Sequence, residues 1–163
     1  LHLLSRRQRQ MCIRDSFIRV LADRLKQMHS LKIPPLLKLQ PGVVLADAVE
    51  LEVLLTNLLK NASEAAACAD IPYVELYMDT LPNGAVKLTI TNSCQPLTPA
   101  EQEALSSPLH SSKENGLGLG LAVVRSIAER NETDLLLSED VPGIFRAVLT
   151  FQPTDPRQEG AAP

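Results

Sequence analysis

The sequence predicts an α/β fold, a two-layer α/β sandwich with a mixed sheet and helices on one face, and three observations predict it. The stretch from Ala48 to about Cys68 carries apolar residues at helical spacing with neither Gly nor Pro. Two strand-like runs, Tyr73–Asp79 and Val86–Thr91, flank Leu81-Pro82-Asn83-Gly84, whose Asn-Gly is a strong hairpin signal. A second helix (Ala122–Arg130) then leads into another strand pair around Pro142-Gly143. Helices interleaved with hairpins bury their faces together in layers.

The elements follow in order. Phe17 to His29 places Phe17, Val20, Leu21, Leu25 and Met28 on one face of a short amphipathic helix. Pro34-Pro35 ends it, Leu36–Gln40 is extended, Pro41-Gly42 turns, and Val43–Leu45 reads as a strand. Asp47 is the N-cap of the long helix, with Glu50 as the acidic partner of a capping box. In that helix Val49, Val53, Leu54, Leu58, Asn61 and Ala65 recur at spacings of three and four. Thr98-Pro99-Ala100-Glu101 starts a further helix, with Pro99 at its first position. The polar run Ser106–Asn115 is a lid-like loop, and strands follow at Asp134–Ser138 and Ile144–Phe151.

At 163 residues the chain has room for one domain with a real core. A content of 45% hydrophobic and 21% charged residues is that of a soluble globular chain. A net charge of −3 gives no electrostatic case for nucleic acid or for a polybasic membrane patch. Cys12, Cys68 and Cys94 lack metal or disulfide spacing, so a reducing cytoplasm fits. No run approaches the roughly 18 apolar residues of a membrane span. Arg9–Ser16 resembles a translated adapter read-through, so residues 1–16 are expected to be non-native or disordered, with the gene continuing upstream. The domain is expected over 17–152, and 153–163 as a disordered tail.

Two motifs carry chemistry. Ser111 to Leu121 ends in Gly116-Leu117-Gly118-Leu119-Gly120-Leu121 at a helix start, where backbone N–H groups can approach a phosphate without Cβ atoms in the way. Within the long helix, Asn57-Leu58-Leu59-Lys60-Asn61-Ala62-Ser63-Glu64-Ala65 stacks Asn57 and Asn61 on one face. Asn is a poor helix-interior residue, so two of them on one stripe need a reason.

Together these motifs resemble the ATP-binding catalytic domain of bacterial sensor histidine kinases, which belong with gyrase, heat-shock and mismatch-repair ATPases. The likeness covers roughly Phe17 to Phe151 and implies a Bergerat-type ATP-binding fold. It implies that Asn61 holds the Mg²⁺ bridging the ATP phosphates and that Asn57 lines the phosphate end. It also implies that Gly116, Gly118 and Gly120, with Leu121, lie beneath the phosphates, and that Lys113 reaches the polyphosphate from a mobile lid. Hydrolysing relatives carry a glutamate one turn before the Mg²⁺ asparagine. Here Asn57 stands there and cannot act as a general base, which favours phosphoryl transfer over hydrolysis. The likeness therefore implies an ATP-dependent histidine kinase, with ATP and Mg²⁺ as cofactors and a response regulator as partner. His2, His29 and His110 have no phosphoacceptor context, so the acceptor histidine is expected on an absent upstream hairpin, through which the protein would also dimerise.

The resemblance departs at the adenine end. Where most of these kinases read Asp-x-Gly-x-Gly, this chain has Asn92-Ser93-Cys94-Gln95-Pro96. Asn92 can accept a hydrogen bond from the adenine amino group, weakened by the lack of charge by roughly 1 kcal/mol. A similar substitution occurs in the peptide-quorum-sensing kinases. A degenerate pseudo-kinase binding module and a stand-alone serine kinase of the anti-sigma-factor type stay open beside the kinase reading.

Overall fold

A computed structural model describes residues 10–27, 29–106 and 118–153. Strand β1 (Gln10–Arg14) and helix α1 (Asp15–Gln27) precede β2 (Leu36–Leu39), β3 (Val43–Asp47) and the long helix α2 (Ala48–Ala66). Then come β4 (Val74–Thr80), β5 (Val86–Ser93), α3 (Pro99–Ser106), α4 (Gly118–Arg130), β6 (Asp134–Val141) and β7 (Ile144–Phe151). Five strands form one sheet in the order β2-β4-β5-β7-β6, and β1 pairs with β3 in a second, two-stranded sheet. The larger sheet is mixed, because β2 runs parallel to β4 while the other pairings are antiparallel.

The sheet alternates as a half-buried sheet must. Val74, Leu76 and Met78 of β4, Val86, Leu88 and Ile90 of β5, and Ala147, Leu149 and Phe151 of β7 are buried in one core. Their neighbours Glu75, Tyr77, Lys87, Thr89 and Thr91 are half-exposed on the opposite face. There Lys38 donates to Glu75 and to Tyr77, whose ring it also covers at 4.8 Å. Helix α2 closes the core with Leu51, Leu54, Leu55, Leu58, Leu59 and Ala62, and α4 adds Val124, Ile127 and Ala128. Among the described residues no helix is long and apolar enough to cross a membrane.

Both helix phases differ from the sequence reading. In α1 the buried stripe is Ile18, Leu21, Ala22 and Leu25, while Val20 is 67% exposed; Met28 lies outside the described residues. In α2 Val49 is 73% exposed and Val53 is exposed too, because the packed stripe runs through Leu51, Leu54, Leu55, Leu58 and Ala62. Two valines one turn apart mimic a core stripe, but five leucines outbid them for the core in buried area. Within the segment expected to be non-native or disordered, Gln10–Arg14 pairs antiparallel with β3, and Ile13 enters the core. Residues 1–9 and 154–163 lie outside the described residues.

The start of α2 is fixed by side chains from across the fold. Asp47 accepts from the N–H groups of Val49 and Glu50 at 2.9 and 3.1 Å, as an N-cap should. The reciprocal half of the capping box is absent. The Asp47 N–H donates instead to Oδ1 of Asn131 at 3.0 Å, while Glu50 accepts from Asn131 Nδ2 and from Arg130 Nε, each at 2.7 Å. Asn131, just past the end of α4, thus ties the two helices together at one end.

Candidate nucleotide site

Helices α2 and α4 meet where the two motifs sit. A Cβ added at Gly120 would lie 3.2 Å from Nδ2 and 3.6 Å from Oδ1 of Asn61, and 3.5 Å from Oδ1 of Asn57. The glycine therefore lets the first turn of α4 close onto the asparagine stripe. Gly118 opens α4, so the last two glycines are inside the helix rather than before it. Both asparagines are half-buried, at the edge of the packed face of α2. Asn57 Nδ2 donates to the Val53 carbonyl at 2.8 Å, which fixes its amide and leaves Oδ1 on the side of Gly120. Lys113 and Gly116, expected on the lid and beneath the phosphates, lie outside the described residues.

Beside this junction opens a cavity of about 420 Å³. Its walls come from Leu58, Asn61, Ala62 and Ala65 of α2 and Leu121 of α4. Its floor is Ile90 and Asn92 of β5 with Phe145 and Ala147 of β7. Cys94 to Thr98 and Glu101 and Leu105 of α3 close the far end. The volume suits one nucleotide-sized molecule, apolar over most of its lining with a few polar groups at its ends. Of the expected site residues, Asn61, Asn92 and Leu121 line the cavity, Asn57 and Gly120 meet at its α2–α4 end, and Gly118 is the first residue of α4.

Asn92 is 1% exposed, and its Nδ2 donates to the Ser93 carbonyl at 2.8 Å. That bond uses one of the two amide N–H groups and leaves the amide oxygen and the second N–H for other partners. The neighbouring Cys94 thiol is held protonated, its pKa raised by burial and then by the nearby Glu139 carboxylate. Helix α3 is started by a full capping box. Glu101 Oε2 accepts from the N–H and hydroxyl of Thr98, and the Thr98 hydroxyl accepts from the Glu101 N–H. These bonds hold the Glu101 carboxyl below its ordinary pKa. The last turn of α3 is tied to α4 by Arg125, which donates to the Leu105 carbonyl at 2.7 Å.

Sequence reasoning missed Glu139, Asn131 and Arg125. Each acts through contacts 20 or more residues away in the chain, so no local pattern announces it. The one available signal was Glu139 itself, a charged residue at a position where the strand alternation of β6 breaks down.

Comparison with known proteins gives the family and the fold. Residues 46–155 match the family described as histidine kinase-, DNA gyrase B- and HSP90-like ATPases. The sensor histidine kinase ZraS of Klebsiella oxytoca is 29% identical over 122 residues, covering 74% of this chain and 26% of ZraS. The C4-dicarboxylate transport sensor protein DctB of Rhizobium meliloti (strain 1021) is 34% identical over 83 residues, 51% of this chain and 13% of DctB. The chain thus spans about a quarter or less of these relatives. Among solved structures, the catalytic domain of the histidine kinase ThkA superposes with a TM-score of 0.70 at 19% identity, covering 89% of this chain and 97% of that one. The mycobacterial sensor histidine kinase MprB gives 0.63 at 19% identity, covering 89% and 99%. The chain belongs to the histidine kinase-, DNA gyrase B- and HSP90-like ATPase family.

Proposed function

We propose that this chain is the ATP-binding catalytic domain of a two-component sensor histidine kinase, passing the γ-phosphate of ATP to a histidine on a dimerisation hairpin outside this sequence. A response regulator would then take the phosphoryl group. The observation that carries the reading is the contact of Gly120 with Asn57 and Asn61 at one end of a nucleotide-sized cavity. The N-terminal turn of α4 offers backbone N–H groups and partial positive charge to an anion there. The apolar remainder, with the Asn92 amide at its base, suits a purine ring accepted edge-on by an amide oxygen.

The residues present also fit Mg²⁺. Asn61 presents an amide oxygen at the cavity edge beside Gly120, a neutral ligand suited to an ion that keeps waters and phosphate oxygens as its other ligands. Bound there, the ion would neutralise charge on the transferring phosphoryl group. Among the described residues no three His, Cys, Asp or Glu converge, and a site of that economy requires none. Lys113 is proposed to add a positive charge at the same end.

Transfer is favoured over hydrolysis by what stands beside the phosphate end. Asn57 is an amide, and its Nδ2 is committed to Val53. Among the described lining residues the carboxylate is Glu101, whose Oε2 is held by Thr98 in the capping box. Neither is placed to activate water, whereas transfer to a delivered imidazole needs positioning and charge neutralisation. The departed loop Asn92–Pro96 is the observation that favours a second reading, a nucleotide-free docking domain. Calorimetry of the chain with Mg-ATP, on wild type and Asn61→Ala, separates the two. Micromolar to submillimolar binding that Asn61→Ala weakens at least tenfold is expected. Absence of binding at millimolar ATP would sink the kinase reading.

A further inference from the structure

The geometry points to Glu139 as the positioning residue for the base end of this cavity: a carboxylate from β6 that shapes the loop lying where a glycine-rich turn would otherwise stand. The inference rests on the nucleotide reading above and deepens it.

The loop after β5 contains no glycine, so its shape has to be imposed from outside. Glu139 supplies that constraint. Its Oε1 accepts from the Leu97 N–H at 3.1 Å and from the Gly143 N–H at 2.8 Å, with the Cys94 thiol at 3.9 Å. Its Oε2 accepts from Gln102 Nε2 at 2.9 Å and shares the Leu97 N–H at 3.2 Å. Cys94 and Leu97 line the cavity, and Gln102 follows the lining residue Glu101 on α3. One side chain thus joins the loop, the β6–β7 turn and α3.

The turn makes a second attachment. The Cys94 N–H donates to the Gly143 carbonyl at 2.9 Å. Gly143 has φ +80°, and a Cβ there would sit 3.3 Å from the Cys94 carbonyl oxygen, so the turn can press against the loop only as glycine. Among the described residues every hydrogen-bond partner of Glu139 is a donor, which an ionised carboxylate alone can satisfy with both oxygens. Burial pushes its pKa up, but the donors from Gln102, Gly143 and Leu97 outweigh it, and the group is held below its ordinary value.

The test is ATP affinity of the full chain, with Mg²⁺ and with the metal chelated, for wild type, Glu139→Gln, Gln102→Ala and Asn61→Ala. Glu139→Gln keeps the shape but loses one acceptor oxygen, and is expected to raise the Kd about tenfold (about 1.4 kcal/mol). The ratio of affinities with and without Mg²⁺ should match wild type, because the phosphate end is untouched, whereas Asn61→Ala should collapse that ratio. Gln102→Ala, which deletes a single donor, should give a smaller loss of the same kind. It carries the test if Glu139→Gln does not fold. Wild-type affinity in both variants, or a Mg²⁺ ratio that collapses as in Asn61→Ala, overturns the assignment of Glu139 alone. A wild type that binds no ATP overturns the nucleotide reading and this inference together.

Discussion

Replacing Gly120 with alanine should separate stability from nucleotide binding. Position 120 is in the first turn of α4, where glycine costs roughly 0.5–1 kcal/mol relative to alanine. Taken alone, the substitution should stabilise the fold. Against this gain stands the new methyl group, 3.2 Å from Asn61 Nδ2 and 3.5 Å from Asn57 Oδ1. Asn57 is tied to the Val53 carbonyl, so the displacement of a few tenths of an ångström falls on the Asn61 amide. A terminal amide gives way cheaply by rotation, so the melting temperature should stay level or rise by about 2–4 °C, the shift expected of about 1 kcal/mol in a chain of this size. Binding should suffer, because the rotated amide is the group proposed to ligate Mg²⁺ and the methyl enters the space proposed for the phosphates. A loss of tenfold or more in Mg-ATP affinity is expected, about 1.4 kcal/mol. Thermal unfolding followed by circular dichroism, paired with calorimetry on the same samples, reads both quantities. An alanine variant that binds Mg-ATP as tightly as wild type would refute the reasoning, and so would one that melts several degrees lower.

Three further outcomes are expected. Asn131→Ala leaves the Asp47 N–H and one Glu50 oxygen without their partner at a part-buried junction, so denaturant unfolding should show a loss of about 1 kcal/mol or more. Asn92→Asp removes the donor to the Ser93 carbonyl and buries a charge, so the free protein should lose about 1–3 kcal/mol while a charged acceptor tightens ATP binding. The sign is checked by a larger thermal shift on adding ATP than wild type shows. Glu101 and Glu139 both have pKa values lowered in the folded state, so the unfolded chain binds more protons in the window between the two values. Their stabilisation is complete above the ordinary carboxylate range and is lost as pH falls through their depressed folded values. An acid-unfolding midpoint that moves in Glu139→Gln tests this, and an unmoved midpoint contradicts it.

What the sequence made legible follows from how local each signal was. Asn57 and Asn61 stand one turn apart on a continuous helix, so their shared face could be read directly. The glycine run could be read as an anion site, but not its approach to those asparagines, which depends on α4 packing across α2. The phases of α1 and α2 were misread because Val20, Val49 and Val53 keep helical spacing without being buried. Burial is decided by which stripe the sheet meets, and that is a tertiary fact. Asp47 was readable as a cap, since Val49 and Glu50 are its neighbours. Its N–H partner, Asn131, is 84 residues away and was not. Separation in sequence also hid Glu139, whose partners Leu97 in the β5–α3 loop and Gln102 on α3 are 42 and 37 residues away, although its third partner, Gly143 of the β6–β7 turn, is a near neighbour.

The strand order has a consequence for the nascent chain. β7 is the final strand among the described residues, yet it lies inside the sheet, between β5 and β6. Until Ile144–Phe151 leaves the ribosome, β5 presents an open edge and Leu88 and Ile90 lack their cross-strand partners Leu149 and Ala147. The cavity floor is unfinished for the same interval, since Phe145 and Ala147 belong to β7. A chain stalled before Ile144 would therefore expose an apolar edge able to pair with another copy, and ATP could not rescue it. Closure of the sheet and completion of the pocket are one event.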